Sequence, residues 1–396
     1  MALVLVTDGE QRSALAVVRS LGRAGHRVLV VSSSGRSVAG ASRYAAAEER
    51  VPDPLADPAG FADEVARLVH ARGVQVLVPI GEAALLAVLP CRARLGPCVM
   101  PFADVERFRA VSDKVRLLEA AAASGIAVPE QRVVASAADA GRGGLAGLGY
   151  PVVVKPGRSV ADAAAGGRRK FGVRHAASAA ELGAVLADLP DAAFPAMIQQ
   201  RVVGPGVGIF LLLWDGEPAA VFAHRRIREK PPSGGVSVYR ESIPADPDLV
   251  RRSSDLLQRF GWEGVAMVEY KLEEKTGIPY LMEINGRFWG SLQLALDAGV
   301  DFPALLVAHA LGDHPAPVRA YRTGVRSRWW LGDLDHLLAR LRRSPGALAL
   351  PPGAPGRLRA LLEFLVLWRP GDRGEVFRWS DPRPGIRELG EWLRGR

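Results

Sequence analysis

Cysteine is scarce: Cys91 and Cys98 are the only two in 396 residues, which excludes a disulfide framework and leaves no CxxC pair. No apolar run reaches bilayer-spanning length, so neither a membrane span nor a membrane partner is expected. The opening MALVLVTDGE lacks a basic flank and meets Asp8 and Glu10 too early for a secretion signal; a first strand and a cytoplasmic protein are expected instead. The turn TDGEQR is not GxGxxG, and Gly22 and Gly25 come late in the next helical stretch, so a nicotinamide-dinucleotide site has little support. Internal repeats, a biotin-carrier segment and a glutaminase cysteine motif are also missing. Lysine is absent from residue 316 onward, where sixteen arginines face eight acidic residues and account for +8 of the net charge of +9. Such a segment reads as a nucleic-acid-binding tail or as a packed appendage. Trp329, Trp330, Trp368, Trp379 and Trp392 among leucines put the packed appendage first and nucleic acid last.

What is present is ordinary globular material, 48% apolar and 23% charged, with length enough for two or three domains. LVLVTDG, SALAVVRSLGRAG and HRVLVVSSS form a strand, helix, strand unit of parallel-crossover length, and residues 61–88 repeat the alternation. Ligands of such open sheets sit beyond the carboxyl ends of the strands, which marks Thr7–Ser13 and Pro79–Glu82 as one rim. Next come a helix with Ser112 as N-cap, a Gly/Ala-rich connection at 136–149, the strand YPVVVKP and a small-residue loop at 157–172. Strands follow with turns at Asp215-Gly216 and near Lys275–Gly277. HRRIREKPPSGGVSVYRESI, with Pro231, Pro232, Gly234 and Gly235, is expected to be a loop. The fold class is α/β and α+β: an open parallel-sheet domain at 1–105, two α+β lobes at 106–195 and 196–315, and a mainly helical appendage at 316–396.

In LMEINGRFWG, Leu281, Met282 and Ile284 suit a core strand, yet Glu283, Asn285 and Arg287 fall on one alternating face. Glu269 in VAMVEY lies on the neighbouring strand of the expected hairpin, so the two carboxylates can share that face. Two carboxylates and an amide oxygen make a hard, oxygen-only set suited to Mg²⁺ held together with phosphates. An exposed hairpin face would show the same alternation. Lys155 ends an apolar strand and needs an anion or an exit to solvent. Lys114 stands in the first turn of a helix, where a cation is disfavoured unless a phosphate is bound.

This ordered set, Lys114 in SDK, Lys155 in VVVKP, IQQRVVG, Glu269 in MVEY and Glu283, Asn285 and Arg287 in MEINGR, resembles the ATP-grasp superfamily over residues 1 to 312. The resemblance is nearest to carboxylate–amine ligases and to carbamoyl-phosphate-synthetase-like members, and implies an amino-terminal domain followed by two lobes clasping ATP. By position it implies that Lys114 and Lys155 contact ATP phosphates and that Glu269, Glu283 and Asn285 hold Mg²⁺, with Mn²⁺ as a stand-in. It further implies that Arg287, with Lys155, serves catalysis at the transferred phosphoryl group, and that Gln200, Arg201 and Val202 meet the adenine. Gly166, Gly167 and Lys170 would be lid contacts. The chain departs from the family where Gln200 replaces a frequent Glu and where Val207 falls at the position of a ribose-binding acid.

The expected activity is an ATP-dependent ligase joining a small carboxylic or amino acid to an amine through an acyl phosphate. Two alternatives stay open: an enzyme activating bicarbonate, and a non-catalytic nucleotide-binding protein. In the basic loop, Arg228 or Arg240 is a candidate clamp for the acid, with Ser233, Gly234 and Gly235 offering backbone N–H groups; a solvated basic loop is the competing reading. Phe288 and Trp289 either wall the acceptor pocket or pack a helix. The appendage caps the core, shapes the pocket or forms a homodimer face.

Overall fold

The computed structural model describes residues 1–140, 149–163, 166–351, 353–367 and 369–395. Most of the expected Gly/Ala-rich connection, part of the small-residue loop, and Trp368 lie outside the described residues.

The first domain runs β1 (Leu3–Val6), α1 (Arg12–Arg23), β2 (Arg27–Ser32), β3 (Ala47–Arg50), α2 (Pro58–Arg72), β4 (Val76–Val78), α3 (Glu82–Val88) and α4 (Val105–Ser112). Its strands pair in parallel in the order β3-β2-β1-β4. The near-continuous apolar runs of β1, β2 and β4 are those of strands buried on both faces. Asp57 caps α2 by accepting from the Gly60 N–H, and Gly73 closes it in the left-handed conformation (φ 65°).

The small lobe opens with α5 (Lys114–Ala123). Its cap is Asp113, whose side chain accepts from the Arg116 N–H. Ser112, the expected cap, instead ends α4, because Asp113 interposes a better-placed carboxylate between the two helices. β5 (Gln131–Val134), α6 (Ala137–Ala140), β6 (Val152–Pro156), β7 (Val160–Asp162), β8 (Arg168–Lys170), β9 (Arg174–Ala176), α7 (Ala179–Ala187) and β10 (Ala196–Gln200) follow. The antiparallel sheet has the order β5-β10-β6-β9, and β7 and β8 form a separate hairpin.

The large lobe holds β11 (Gly206–Trp214), β12 (Glu217–Lys230), β13 (Val236–Ser242), α8 (Pro247–Arg259), β14 (Gly264–Leu272), β15 (Pro279–Asn285), α9 (Leu292–Ala298) and α10 (Phe302–Ala310). Asp215 and Gly216, both at positive φ, make the expected turn between β11 and β12. The stretch expected to be a loop is a long hairpin: β12 continues to Lys230 and β13 begins at Val236, with bulges between Arg226 and Glu229. The prolines occupy only its tip, while Ile227, Val236 and Val238 supply ordinary strand material.

The remaining elements are β16 (Arg326–Arg328), α11 (Trp330–Arg342), α12 (Arg357–Leu365), β17 (Asp372–Gly374) and α13 (Arg383–Arg394). β16 and β17 extend the large-lobe sheet to seven strands, β15-β14-β11-β12-β13-β16-β17. The basic segment is therefore built into the core. Buried Arg19 of α1 donates to Asp381, which also accepts from the Ser42 hydroxyl and the Arg43 N–H. Buried Arg240 of β13 pairs with Glu375, which also binds Arg12. Among the described residues no single helix is long and apolar enough to cross a membrane.

Candidate active site

Strand pairing sets the centre of the site. Glu283 is the direct partner of Glu269, Glu269 of Gly208, and Gly208 of His224. These four residues form one row across β15, β14, β11 and β12. Neighbouring strands lie about 4.8 Å apart, so the two carboxylates of the row meet side by side. Gly208 makes room in the middle of the row for the Phe210 ring, which a Cβ there would approach to 2.6 Å.

Cations surround the carboxylates. The Lys114 Nζ lies 3.7 Å from Glu283 and donates to the Ser159 hydroxyl at 2.7 Å. Burial pushes the Glu283 carboxyl up, but Lys114 and Lys155 more than reverse this and hold it at about 2. Burial dominates at Glu269, which is raised despite its ion pair with Arg226. Lys155, half-buried at the cavity wall, is lowered to about 8 by desolvation, with Glu283 opposing the shift. Its ammonium approaches the Met282 sulfur at 3.8 Å. Asn285 donates to Glu283 at 3.0 Å and accepts from Arg287 at 3.1 Å, which fixes amide and guanidinium in one line.

A cavity of about 510 Å³ opens over this row. One part is bounded by Val153, Val173, His175, Gln200, Arg201 and Val202, beside which the hairpin tip at Ser233 lies, and another by His224, Trp289 and Ser291, with Lys155, Glu269, Glu283, Asn285 and Arg287 also lining the cavity. Lys114 faces the same carboxylate from a narrow cleft behind it, together with Glu82 of the first domain. Burial raises the Glu82 carboxyl, while Arg287 and Lys114 pull it down. A second cavity of about 1030 Å³ adjoins the first, sharing His175, Arg201 and Ser233 and walled by appendage residues 345–351.

The structure thus brings together Lys114, Lys155, Glu269, Glu283, Asn285 and Arg287, with Gln200, Arg201 and Val202 at the far end. Arg228 and Arg240 line neither part of the cavity. Arg228 makes two 2.6 Å hydrogen bonds to Asp333 of α11, and Arg240 is fully buried against Glu375. A guanidinium already saturated by a carboxylate of its own chain is not free to clamp a substrate. Arg226, one alternation from His224, is the arginine of the hairpin that does face the cavity. Val207 is buried and does not line the cavity. Gly166, with φ 87°, and Gly167 form the β7–β8 turn. Gly167 packs on Leu55, and Arg168 donates to the Leu55, Ala83 and Leu86 carbonyls of the first domain. Phe288 is buried outside the cavity, whereas Trp289 lines it.

Sequence reasoning missed His175, His224, Arg226 and Met282. For His224 and Arg226 a signal existed: two polar residues at i and i+2 ending the apolar run AAVFA continue the alternation that places Glu269 on the same face.

The fold is that of the ATP-grasp superfamily. Residues 194–331 match the family described as "ATP-grasp in the biosynthetic pathway with Ter operon". The L-amino acid ligase of Bacillus licheniformis is similar at TM-score 0.61 and 19% identity, over 78% of this chain and 74% of that one. The biotin carboxylase of Campylobacter jejuni aligns at TM-score 0.63 and 16% identity, over 82% and 74%. The N5-carboxyaminoimidazole synthetase of Staphylococcus aureus, solved with ADP, aligns at 0.61 and 13%, over 82% and 80%. No curated protein matches the chain.

Proposed function

We propose that the protein is an ATP-dependent carboxylate–amine ligase that forms an amide or peptide bond and releases ADP and phosphate. The observation that carries this reading is the cross-strand pair Glu269–Glu283, set with Asn285 among Lys114, Lys155 and Arg287 in one cavity. Its donor set fits Mg²⁺: two carboxylates and an amide oxygen supply hard ligands. Among the described residues no three His, Cys, Asp or Glu side chains converge, so phosphate oxygens would complete the shell. When bound, the ion neutralises phosphate charge and orients the γ-phosphoryl group.

The chain's own residues supply the rest. Lys114 and Lys155 hold the phosphates, and Gln200, Arg201 and Val202 bound the nucleoside end. The substrate carboxylate attacks the γ-phosphorus, and the bond to the bridging oxygen breaks as ADP leaves. The amine nitrogen then attacks the acyl carbon, phosphate departs with the C–O electron pair, and the amine loses a proton. Arg287 faces the negative charge that grows on the acyl phosphate. The partial burial of Glu269, Glu283 and Lys155 limits the access of water to such an intermediate.

The test is an ADP-release screen over pooled small carboxylates, with and without amines, with hydroxylamine as an acyl-phosphate trap. Hydroxamate and ADP formed together support the reading. MgATP binding without ADP release for any pair sinks it in favour of a non-catalytic nucleotide-binding protein. The carboxylase and synthetase neighbours favour one second reading, bicarbonate activation, which predicts ADP release dependent on bicarbonate alone.

A further inference from the structure

The proposed phosphoryl transfer leaves one part of the cavity lining, around His224 and Trp289, without a role. His224 is fully buried there, two strands from Glu269 on the same row and therefore about 10 Å beyond it. Neither ring nitrogen has a hydrogen-bond partner among the described residues, although the residue lines the cavity. Trp289, 2% exposed, lines the same end, and its Nε1 is likewise unpartnered. The Phe210 ring holds the two apart, with centroids 4.7 Å from His224 and 4.4 Å from Trp289.

Aromatic packing alone explains the rings, since Trp289 also meets Phe302 edge-on. It does not explain why both members carry buried, unsatisfied polar atoms where they border one cavity. Such atoms are uncommon and costly; Trp262 and His309 carry them too, but outside this cavity, and what sets this end apart is that two such side chains border one cavity on either side of one Phe ring.

We propose that His224 and Trp289 form the floor of the acid-substrate subsite and select a carboxylic acid whose chain carries an uncharged hydrogen-bonding group, a hydroxyl or a carboxamide. The proposal rests on the ligase reading. An indole N–H only donates, while a neutral imidazole offers one donor and one acceptor; a hydroxyl or a carboxamide answers both. Burial first, then Arg226 and Arg240, keep the imidazole neutral. An ammonium would meet Arg226 and Arg287, and the nearest spare carboxylate, Glu229, is already held by Arg226 and the Gly235 N–H. A second carboxylate would draw a proton onto a ring that two arginines keep neutral.

The experiment uses the full-length protein loaded with Mg²⁺ and a non-hydrolysable ATP analogue, titrated calorimetrically with five matched acids: butyrate, 4-hydroxybutyrate, succinamate, succinate and 4-aminobutyrate, and with their five-carbon homologues. The hydroxy and carboxamide acids should bind at least tenfold more tightly than the alkyl acid. His224→Phe and Trp289→Phe should each bring that ratio to within twofold without changing affinity for the ATP analogue, and His224→Gln should retain the preference. The proposal is overturned if no acid binds, if the alkyl or a charged member leads, or if the ratio survives both Phe variants. ADP release measured alongside judges the ligase reading separately: binding preference without turnover removes that reading and leaves the subsite standing.

Discussion

Two groups of buried cations occupy the same large-lobe sheet and its neighbours, and the fold treats them in opposite ways. Where the appendage meets the rest of the chain, Arg19, Arg228, Arg240, Arg328 and Arg378 each reach a carboxylate at ion-pair distance, and every pair has at least one member in residues 316–396. In the cleft, apart from Arg226, which pairs with Glu229 and Glu269, Lys155 has a thioether, Arg287 an amide and a carbonyl, and Lys114 a hydroxyl with Glu283 farther off. Charge alone therefore says nothing about role. A saturated guanidinium holds the fold, and an unsaturated cation beside acidic groups is placed for an anion that arrives.

Substitutions sharpen this contrast. Glu283→Gln should cut ligand-dependent ADP release at least a thousandfold, about 4 kcal/mol of barrier, while the melting temperature holds; unchanged turnover would remove the metal assignment. Asp381→Ala strands the buried Arg19 guanidinium and should cost about 3–5 kcal/mol in urea unfolding, whereas replacing both partners by leucine should recover most of that loss.

Lys155→Met should move binding and stability in opposite directions. Nucleotide affinity should fall about 10- to 100-fold by calorimetry, worth about 1.4–2.7 kcal/mol. The folded state holds this lysine near 8, below its ordinary value. It therefore penalises folding most below pH 8, and the variant should be more stable at pH 7 by about 1–3 kcal/mol. A destabilised variant would contradict that.

The smallest effect concerns Glu388 of α13, which accepts from Trp329 at 2.7 Å and is raised by burial to about 7. A carboxyl raised on folding contributes stability below its unfolded value near 4.5, and that contribution is lost as pH rises to 7. Glu388→Gln should therefore gain about 1–2 kcal/mol relative to the parent between pH 5 and pH 8. Parallel pH profiles of chemical denaturation would refute this.

The cleft was readable from the chain because its signal is local: Glu283, Asn285 and Arg287 alternate within five residues of an apolar strand. The appendage was not, because its logic is pairwise and distant. Arg228 and Asp333 are 105 residues apart, so no window containing one contains the other, and arginines destined for carboxylates looked the same as arginines destined for substrate. The hairpin misread as a loop failed for a similar reason: its tip residues are breakers, but β13 is held by β16, a strand nearly ninety residues downstream.

The Arg19–Asp381 pair also orders events in time. Arg19 belongs to one of the first helices to be made, yet its partner lies 362 residues later. A chain growing from its amino end carries a guanidinium destined for burial with nothing to bury it against until the segment around Asp381 emerges. The Arg19 site of the first domain is complete only with residues 375–381 in place, and contacts this distant in sequence form slowly. Refolding of the full chain should therefore bring the earliest and latest segments to native protection together, as one late event.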